Sequence, residues 1–424
     1  MDDYINLNAC CGGGGGGKHA WENPQLTGMH RLPPHSRNIR SMAKTHTECA
    51  DSSAASPLCV CLDSSALLES AKKEESDIVS KDGWKFRLFP DPLRIPSSYI
   101  NPSTNSDIRF CSKRVTVPSN WTMTSHKECC GVHDPPRYTN VQMPFDVLYP
   151  HVPENNPTGE YRLEFSLLPK SWIWSENNGV EMRRRVVLHF GAVESCFFVY
   201  MNGNFVGMGK DSRLPSEFDV TSFIHCTSGN GDMANENVLA VIVLKWSDGS
   251  FLEQQDHWRG MAGIHRSVFL YSTPAEAYIE DVFCRGELMN IHQTSNKDSF
   301  QGLLKIQARI GRDHNTRITG KNIYYNQQVE YSPHSPSDGI VYRMLFQLYN
   351  PDNSPVFEEP IDATYEGNDL IKDAHFRSNL ISFHVEVPGN VSAWSDETPT
   401  LYRLEATLVR IDPSHHTPTS TIDV

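Results

Sequence analysis

The fold is decided by a stretch near the middle of the chain, Phe197-Phe198-Val199-Tyr200-Met201, then Asn202-Gly203, then Asn204-Phe205-Val206-Gly207. An apolar run stands on each side of the Asn-Gly pair. Asn and Gly both tolerate the positive φ angles of a type I′ turn, whose twist matches that of two paired strands. The stretch therefore predicts an antiparallel β-hairpin.

The segments around this hairpin also have strand patterns. Apolar and polar side chains alternate from Tyr161 to Leu167, which is typical of a strand with one buried face. Val238–Trp246 is almost wholly apolar, as expected for a strand that is covered on both faces. No comparably long helical period interrupts the region, so we predict an all-β, jelly-roll-like sandwich over residues 81–273.

After Ser272-Thr273-Pro274 the chain shows shorter, separate runs of alternation. Apolar residues recur at every second position in Leu304/Ile306/Ala308/Ile310, Met344/Phe346/Leu348, Phe383/Val385/Val387 and Tyr402/Leu404/Ala406/Leu408. Several short strands at such intervals are typical of a sandwich. We therefore predict a second, smaller β-sandwich over residues 274–424.

The first 80 residues have a different composition. A glycine run fills Gly12–Gly17, and residues 36–80 are rich in Ser, Ala, Thr and charged side chains without a sustained period. Segments with few apolar residues cannot bury enough surface to offset the entropy of ordering. We predict that residues 1–80 form a flexible amino-terminal segment.

Length and charge restrict the possible partners. The 424 residues exceed the usual limit of one core, and the net charge of 38 − 51 = −13 repels phosphate backbones and anionic lipids. We expect no nucleic-acid or membrane partner. No apolar run approaches the ~20 residues needed to span a bilayer, the start lacks a signal-like leader, and the 11 cysteines lack paired zinc spacing. We expect a cytoplasmic protein.

Charge is concentrated in the loop-like stretch Lys210–Asp219, whose sequence is Lys-Asp-Ser-Arg-Leu-Pro-Ser-Glu-Phe-Asp. Two carboxyl groups that lie close together could serve as a catalytic acid and a nucleophile. Asp211 with Glu217, or Glu253 with Asp256, could supply such a pair, but sequence spacing does not fix their separation. Loop acids more often accept local hydrogen bonds or form ion pairs, which is the interpretation we favour.

Several motifs occur together in one order along the chain. They are Trp21-Glu22-Asn23-Pro24, Tyr138-Thr139-Asn140-Val141 followed by Pro144-Phe145, Asn156-Pro157-Thr158-Gly159, Lys210–Asp219, Trp246-Ser247-Asp248-Gly249-Ser250, and Asp256-His257-Trp258-Arg259. The set resembles the non-catalytic amino-terminal half of glycoside hydrolase family two, specifically its large bacterial β-galactosidases, over roughly residues 18–424.

The resemblance implies an architecture and an activity. Residues 81–273 would be a galactose-binding-like jelly roll, and residues 274–424 an immunoglobulin-like sandwich that is cut short at its end. In the family a (β/α)8 barrel follows and carries the catalytic acid and nucleophile, so no catalytic residue is expected in this chain. The complete enzyme would hydrolyse terminal non-reducing β-D-galactose residues of β-galactosides such as lactose, and the resemblance implies that it is a homo-oligomer, a tetramer.

The resemblance also implies site residues. Asp211 matches the family's aspartate that binds galactose hydroxyls and a sodium ion, for which an ionised carboxylate offers suitable oxygens. Asn140 matches the asparagine that reaches into the galactose pocket, whereas its residue type alone indicates a turn. A magnesium ion is expected in the complete enzyme through residues outside this chain. The segment from Trp21 to His35 would pack along the body of the protein.

Other residue types leave alternatives open. Trp121, Trp246 and Trp258 could stack on a sugar ring, but we favour core packing. Arg213 and Arg259 are expected to hold loops through carboxylates, and the histidines form no metal-ligand constellation. A second hypothesis is a stand-alone carbohydrate-binding or interaction module without catalysis, because β-sandwiches host many functions.

Overall fold

A computed structural model describes most of the chain outside several segments. The described residues are 5, 7, 19–32, 34, 58–70, 80, 82–103, 115–123, 134–138, 145–177, 180–227, 236–253, 258–274, 277–289, 300–311, 341–363, 372–377, 380–411 and 418–423. The chain forms two compact units, with a border along the sequence between Ser272 and Thr273. The predicted domain border lay one residue further on.

The first unit is built from antiparallel strands. In chain order they are β1 (Gly28–Met29), β2 (Leu58–Cys61), β3 (Trp84–Phe89), β4 (Arg137–Tyr138), β5 (Thr158–Ser166), β6 (Trp174–Asn177), β7 (Val180–Phe190), β8 (Val193–Glu194), β9 (Cys196–Met201), β10 (Asn204–Lys210), β11 (Ser216–Asp219), β12 (Glu236–Leu244), β13 (Trp258–Arg259), β14 (Gly263–Ile264) and β15 (Val268–Pro274). One sheet has the order β1-β10-β9-β12-β5-β3, and a second has the order β11-β7-β15-β2 with β6 beside β7. The all-β prediction is confirmed.

The predicted hairpin is present between β9 and β10. Asn202 and Gly203 both have positive φ, 51° and 81°, as the Asn-Gly turn requires. Met201 pairs with Asn204 directly across the turn. The strand β10 then leads straight into the charged loop after Lys210, so this hairpin sets where that loop begins.

The two sheets enclose a core of apolar side chains. Inward-facing residues such as Tyr161, Leu163, Val241 and Phe218 are almost completely buried and belong to one cluster. Strand β12 is buried on both faces, as predicted from its continuous apolar sequence. Each large side chain in such a core contributes roughly 1.5–3 kcal/mol through removal of apolar surface from water.

Strand β5 differs from the prediction of one buried face. Arg162 is 1% exposed although it lies opposite the core side chains. Its Nη1 donates to the backbone oxygens of Tyr99, at 3.1 Å, and Asn101, at 3.2 Å. The polar face is buried because a loop covers it and supplies acceptors, so alternation alone could not distinguish covered from solvated side chains.

The amino-terminal segment also needs a correction. Within the predicted flexible region 1–80, Leu58–Cys61 forms β2 on the edge of a sheet and Ser64–Ser70 forms helix α1. Leu62 and Leu67 join the main core. Such short elements have weak local signals and are stabilised by packing rather than by propensity. Trp21 packs in a second cluster and β1 pairs with β10, so this part of the segment lies along the body of the first unit, as the resemblance implied.

The second unit consists of two four-stranded antiparallel sheets. Its strands are β16 (Tyr278–Met289), β17 (Phe300–Gly311), β18 (Val341–Tyr349), β19 (Ile361–Asp362), β20 (Lys372–Arg377), β21 (Leu380–Val391), β22 (Arg403–Ile411) and β23 (Pro418–Asp423). The orders are β16-β17-β21-β20 and β19-β18-β22-β23. Ile306, Phe346 and Phe383 are buried between them, which confirms the predicted smaller sandwich.

Candidate functional site

The loop Lys210–Pro215, called the Asp211 loop below, joins the end of β10 to β11 in the other sheet. Asp211 has a φ of 100°, which is rare for a residue with a side chain. Its Oδ1 accepts from the backbone amides of Arg213, at 3.2 Å, and Leu214, at 3.3 Å. The carboxylate therefore folds the loop around itself through one oxygen.

Lys210 fixes the first side of the loop. Its buried ammonium lies 2.7 Å from Oδ1 of Asp248 and 2.8 Å from the backbone oxygen of Asn23. Asp248 begins the short 3₁₀ helix Asp248–Phe251, which has a capping box between Ser247 and Ser250. The motif around Trp246 and the amino-terminal motif around Trp21 thus meet on the lysine that precedes Asp211.

Ser212 fixes the second side of the loop and is completely buried. Its backbone amide donates to Oε1 of Glu253 at 2.9 Å, and its hydroxyl donates to Oε2 of the same carboxylate. His265 donates through Nε2 to the carbonyl of Ser212 at 2.7 Å. Each polar backbone group of Ser212 is therefore held by a residue distant in the sequence.

Arginines hold the remaining carbonyls. Arg31 donates to the carbonyl of Lys210 at 3.1 Å and to that of Pro215 at 2.8 Å, which ties together the two ends of the loop. Arg266 donates to the carbonyl of Arg213 at 3.0 Å. The planar guanidinium suits such double contacts because its N–H groups have fixed directions.

Burial and nearby charges shift the pKa values of two side chains that hold the loop, Glu253 and His265. Burial raises the pKa of Glu253, and the negative charges of Asp211 and Glu194 add to that rise. Burial lowers the pKa of His265, and the nearby cations Arg213 and Arg266 lower it further. His265 donates through Nε2 to the carbonyl of Ser212, because a carbonyl oxygen can only accept.

The sequence-predicted site residues have different positions. Asp211 is the first residue after β10 and its side chain is partly exposed, whereas Asn140 lies outside the described residues. Glu217, once a candidate partner of Asp211, instead contacts His189 at 2.8 Å and Tyr271 at 2.9 Å. That carboxylate has a structural role.

The remaining candidates are mostly structural or undescribed. Trp121 and Trp246 are 2% and 4% exposed in apolar clusters, which confirms core packing. Arg213 lies 3.8 Å from the buried Glu194 and so borders a carboxylate, as expected. Asp256 and His257 lie outside the described residues, and only the backbone of Trp258 and Arg259 is described.

The motif residues Asn156 and Gly159 are structural. The side chain of Asn156 donates to the carbonyl of Trp246 at 2.9 Å and accepts from its amide at 2.9 Å. A side chain at Gly159 would lie 2.7 Å from the ring of Phe86 and 2.8 Å from that of Trp121. Asn156 thus holds Trp246, two residues before the 3₁₀ helix that holds the loop, and Gly159 leaves room for two aromatic rings.

Asp211 can supply one oxygen to a cation. Within the described part of the chain, Oδ1 accepts two amides and no hydrogen bond reaches Oδ2. The described residues contain no group of three or more His, Cys, Asp or Glu side chains that could hold a metal ion. Asp211 fits a single ligand position, and further ligands would have to come from elsewhere.

In the same described part, no helix is long and apolar enough to cross a membrane.

Sequence reasoning missed the residues that hold the loop. Lys210 and Asp248 stand inside motifs that were noticed, and Glu253 was a candidate carboxylate, but the contacts of these residues were not evident. His265 carried no signal in the sequence, and it is half-buried against the loop. Arg31 carried no signal, because it is 179 residues from its first acceptor.

The fold places the first unit in the class of antiparallel β-sandwich domains, with the charged Asp211 loop joining its two sheets. Residues 78–274 match the family model of the glycosyl hydrolases family 2, sugar binding domain. Residues 78–274 are therefore similar to the sugar binding domain of glycosyl hydrolases family 2, and the resemblance found in the sequence motifs is confirmed.

Curated relatives extend the similarity beyond that domain. A β-galactosidase of Photobacterium profundum is 29% identical over 398 residues, covering 93% of this chain and 30% of that protein. One from Yersinia enterocolitica is 32% identical over 395 residues, covering 92% of this chain and 29% of that protein. The chain spans about 30% of the length of these relatives.

A solved structure shows the same fold. The β-glucuronidase of Bifidobacterium dentium, in complex with coumarin-3-O-glucuronide, superposes with a TM-score of 0.51 and 16% identity. The match covers 87% of this chain and 47% of that protein. At this identity the likeness supports the two-sandwich architecture and carries no information about the sugar that is bound.

Proposed function

We propose that the complete protein hydrolyses terminal non-reducing β-D-galactose residues of β-galactosides, and that this chain supplies sugar-contacting side chains rather than the catalytic carboxyl groups. One observation carries the proposal. Asp211 presents a carboxylate whose Oδ2 is not engaged by the described residues, on a loop that is held rigidly around it. Preorganised acceptors of this kind suit recognition of sugar hydroxyls.

Three other carboxylates near the loop are already occupied. Glu253 binds Ser212 with both oxygens, Glu217 binds His189 and Tyr271, and Asp248 binds Lys210. A retaining glycosidase needs two adjacent carboxyl groups that are available to substrate. We therefore propose that the catalytic acid and the nucleophile lie in another part of a longer protein, the part that corresponds to the remaining length of the relatives.

Apolar side chains beside the loop support packing of a further region. Leu148, Leu252, Leu214 and Tyr149, called the apolar rim below, are 85%, 78%, 55% and 49% exposed. Leu252 precedes Glu253, and the ring of Tyr149 packs 5.5 Å from that of Phe251. Exposed apolar patches commonly mark surfaces that another protein segment covers.

The apolar rim can be tested with the 424-residue chain. We expect the double variant Leu148→Ser/Leu252→Ser to bind less of a fluorescent hydrophobic dye and to aggregate less than the unsubstituted chain. Leu93→Ser/Leu288→Ser is the matched control, since those leucines are 48% and 52% exposed and lie outside the rim. Equal dye binding by both variants would contradict a packing role for the rim.

Sodium, magnesium and assembly belong to the same proposal. Asp211 would hold sodium with ligands from outside the described residues, and magnesium would bind through residues outside this chain. The complete enzyme would be a homo-oligomer, with a tetramer as the first expectation. A cytoplasmic location stays a prediction from the sequence.

The substrate class is tested with the full-length product of the gene that encodes this chain. We expect it to hydrolyse 4-nitrophenyl β-D-galactoside with a higher kcat/KM than 4-nitrophenyl β-D-glucuronide. A preference for the glucuronide would contradict the proposed substrate. Galactose binding without hydrolysis of any glycoside would favour the alternative, a carbohydrate-binding module.

A further inference from the structure

A single short segment holds both neighbours of Asp211. Asp248 lies 2.7 Å from the ammonium of Lys210, and Glu253 accepts from the amide and the hydroxyl of Ser212. The 3₁₀ helix Asp248–Phe251 joins these two carboxylates, and the amide of Glu253 donates to the carbonyl of Gly249 at 3.0 Å. The spacing between the two contacts is therefore set by one helical turn.

The two contacts are not equivalent. Lys210 has other acceptors, because the backbone oxygen of Asn23 lies 2.8 Å from its ammonium. Ser212 is completely buried, and in the described residues its amide and its hydroxyl both donate to Glu253. Loss of Glu253 would leave two buried donors without a partner, which is costlier than loss of one acceptor among several.

Asp211 needs such support because of its backbone. A φ of 100° is unfavourable for a residue with a side chain and persists only where the surroundings fix it. Ser212 follows Asp211 directly, so a fixed Ser212 amide plane limits the rotation that would relax Asp211. The direction of the Asp211 carboxylate thus depends on the hydrogen bonds that hold Ser212.

We infer that Glu253 is a positioning residue that fixes the Asp211 carboxylate in the direction required for sugar binding. Glu253 acts through Ser212 and does not itself reach the sugar, since both of its oxygens are engaged. The inference rests on the proposed function for its consequence in catalysis. Its structural part, the dependence of the loop on Glu253, stands on the contacts alone.

Substitutions at Glu253 can separate the effect of its side-chain length on the loop from the effect of its charge. Glu253→Asp keeps the charge and shortens the side chain by one methylene group, so it can no longer reach Ser212. Glu253→Gln loses the charge and keeps the length, so its amide oxygen still accepts from the Ser212 amide and its amide nitrogen can donate to the Ser212 hydroxyl. Glu253→Ala removes both contacts.

The first readout is hydrogen–deuterium exchange of residues 211–216 in the 424-residue chain. We expect exchange to become about tenfold faster in Glu253→Ala and in Glu253→Asp, as for loss of a hydrogen bond to a charged acceptor, and to stay near the unsubstituted rate in Glu253→Gln. Glu287→Ala is the matched control, because that carboxylate pairs with Lys305 at 2.7 Å in the second unit. It should leave the loop unchanged.

Unchanged exchange in Glu253→Asp would overturn the inference. If exchange were at the same time faster in Glu253→Gln, the charge of Glu253 rather than its reach would be what the loop requires. Where Glu253→Ala does not fold, Ser212→Ala removes only the hydroxyl contact, and we expect it to speed loop exchange by a few-fold while unchanged exchange would count against the inference.

The second readout is hydrolysis of 4-nitrophenyl β-D-galactoside by the full-length product. We expect Glu253→Asp to raise KM about tenfold and to change kcat by less, with Glu253→Gln close to the unsubstituted enzyme. A loop that loosens without any change in KM would overturn the positioning role. If galactosides are not substrates at all, the proposed function fails, whereas the exchange result still decides whether Glu253 fixes the loop.

Discussion

The Asp211 loop of the first unit and the turn Asn350–Ser354 of the second both contain an aspartate that binds amides two residues on. In the turn, Asp352 accepts from the amide of Ser354 at 2.9 Å and from its hydroxyl at 2.6 Å. The amide of Asn350 donates to the carbonyl of Ser354 at 2.9 Å, so the turn is closed by its own residues.

The Asp211 loop is held in a different way. Its partners Arg31, Asp248, Glu253 and His265 come from distant parts of the chain. A turn that only reverses the chain can satisfy its polar groups locally. A loop that holds a strained residue with an available carboxylate needs outside support, and such support is typical of functional sites.

The largest expected effect comes from the buried lysine of the Asp211 loop. Lys210→Met would leave Asp248 buried without its partner, and we expect a loss of about 3–5 kcal/mol in the free energy of unfolding. Urea unfolding measures this change. Arg403→Met is the control, since Arg403 and Glu405 form an exposed pair and should contribute at most ~1 kcal/mol. Similar losses in the two variants would contradict the contrast between the regions.

Removal of the arginine that ties the loop ends should have a smaller effect. Arg31→Ala loses the bonds to the carbonyls of Lys210 and Pro215, and we expect a loss of about 1–3 kcal/mol. Arg309→Ala is the control, because Arg309 lies 3.8 Å from Glu280 on an exposed face. A cost for Arg31→Ala no greater than that of the control would mean that the amino-terminal segment does not support the loop.

The smallest expected effects are pH dependences of opposite sign. Burial raises the pKa of Glu253 in the folded protein, so its contribution favours folding at low pH and falls as the pH rises through that raised pKa. Hydrogen bonds from Ser354 lower the pKa of Asp352, so its contribution is present above the ordinary pKa and is lost as the pH falls through the lowered one.

Unfolding measured across pH 3–7 distinguishes the two carboxylates. We expect Glu253→Gln to remove a part of the profile in which stability decreases with rising pH. Asp352→Asn should remove a part in which stability increases with rising pH. Profiles that change in the same direction would show that the two carboxylates do not occupy the contrasting environments described above.

Much of the fold could be predicted from periodicity. The Asn202-Gly203 hairpin, the doubly covered β12 and the smaller sandwich follow from patterns within single segments. The cover over Arg162 and the ordering of Leu62 and Leu67 could not be predicted, because both depend on packing between distant segments.

The candidate site, like the fold, could be predicted from the sequence only in part. Charge between strands indicated a loop at Lys210–Asp219, of which Ser216–Asp219 is in fact strand β11, and family resemblance selected Asp211 within it. The contacts that shape the loop could not be predicted from the sequence. Arg31 is 179 residues from its acceptor Lys210, and Glu253 is 41 residues from its donor Ser212. Asn140 lies outside the described residues, and its role stays a prediction.

The most direct measurement is the sodium dependence of β-galactoside hydrolysis by the full-length product, with and without Asp211→Asn. The amide keeps an acceptor for the amides of Arg213 and Leu214, so the loop should remain folded. We predict a raised KM and loss of the sodium response, because a charged oxygen ligand is removed. An unchanged KM together with an unchanged sodium response would contradict the assignment of Asp211 to the sugar and to the cation.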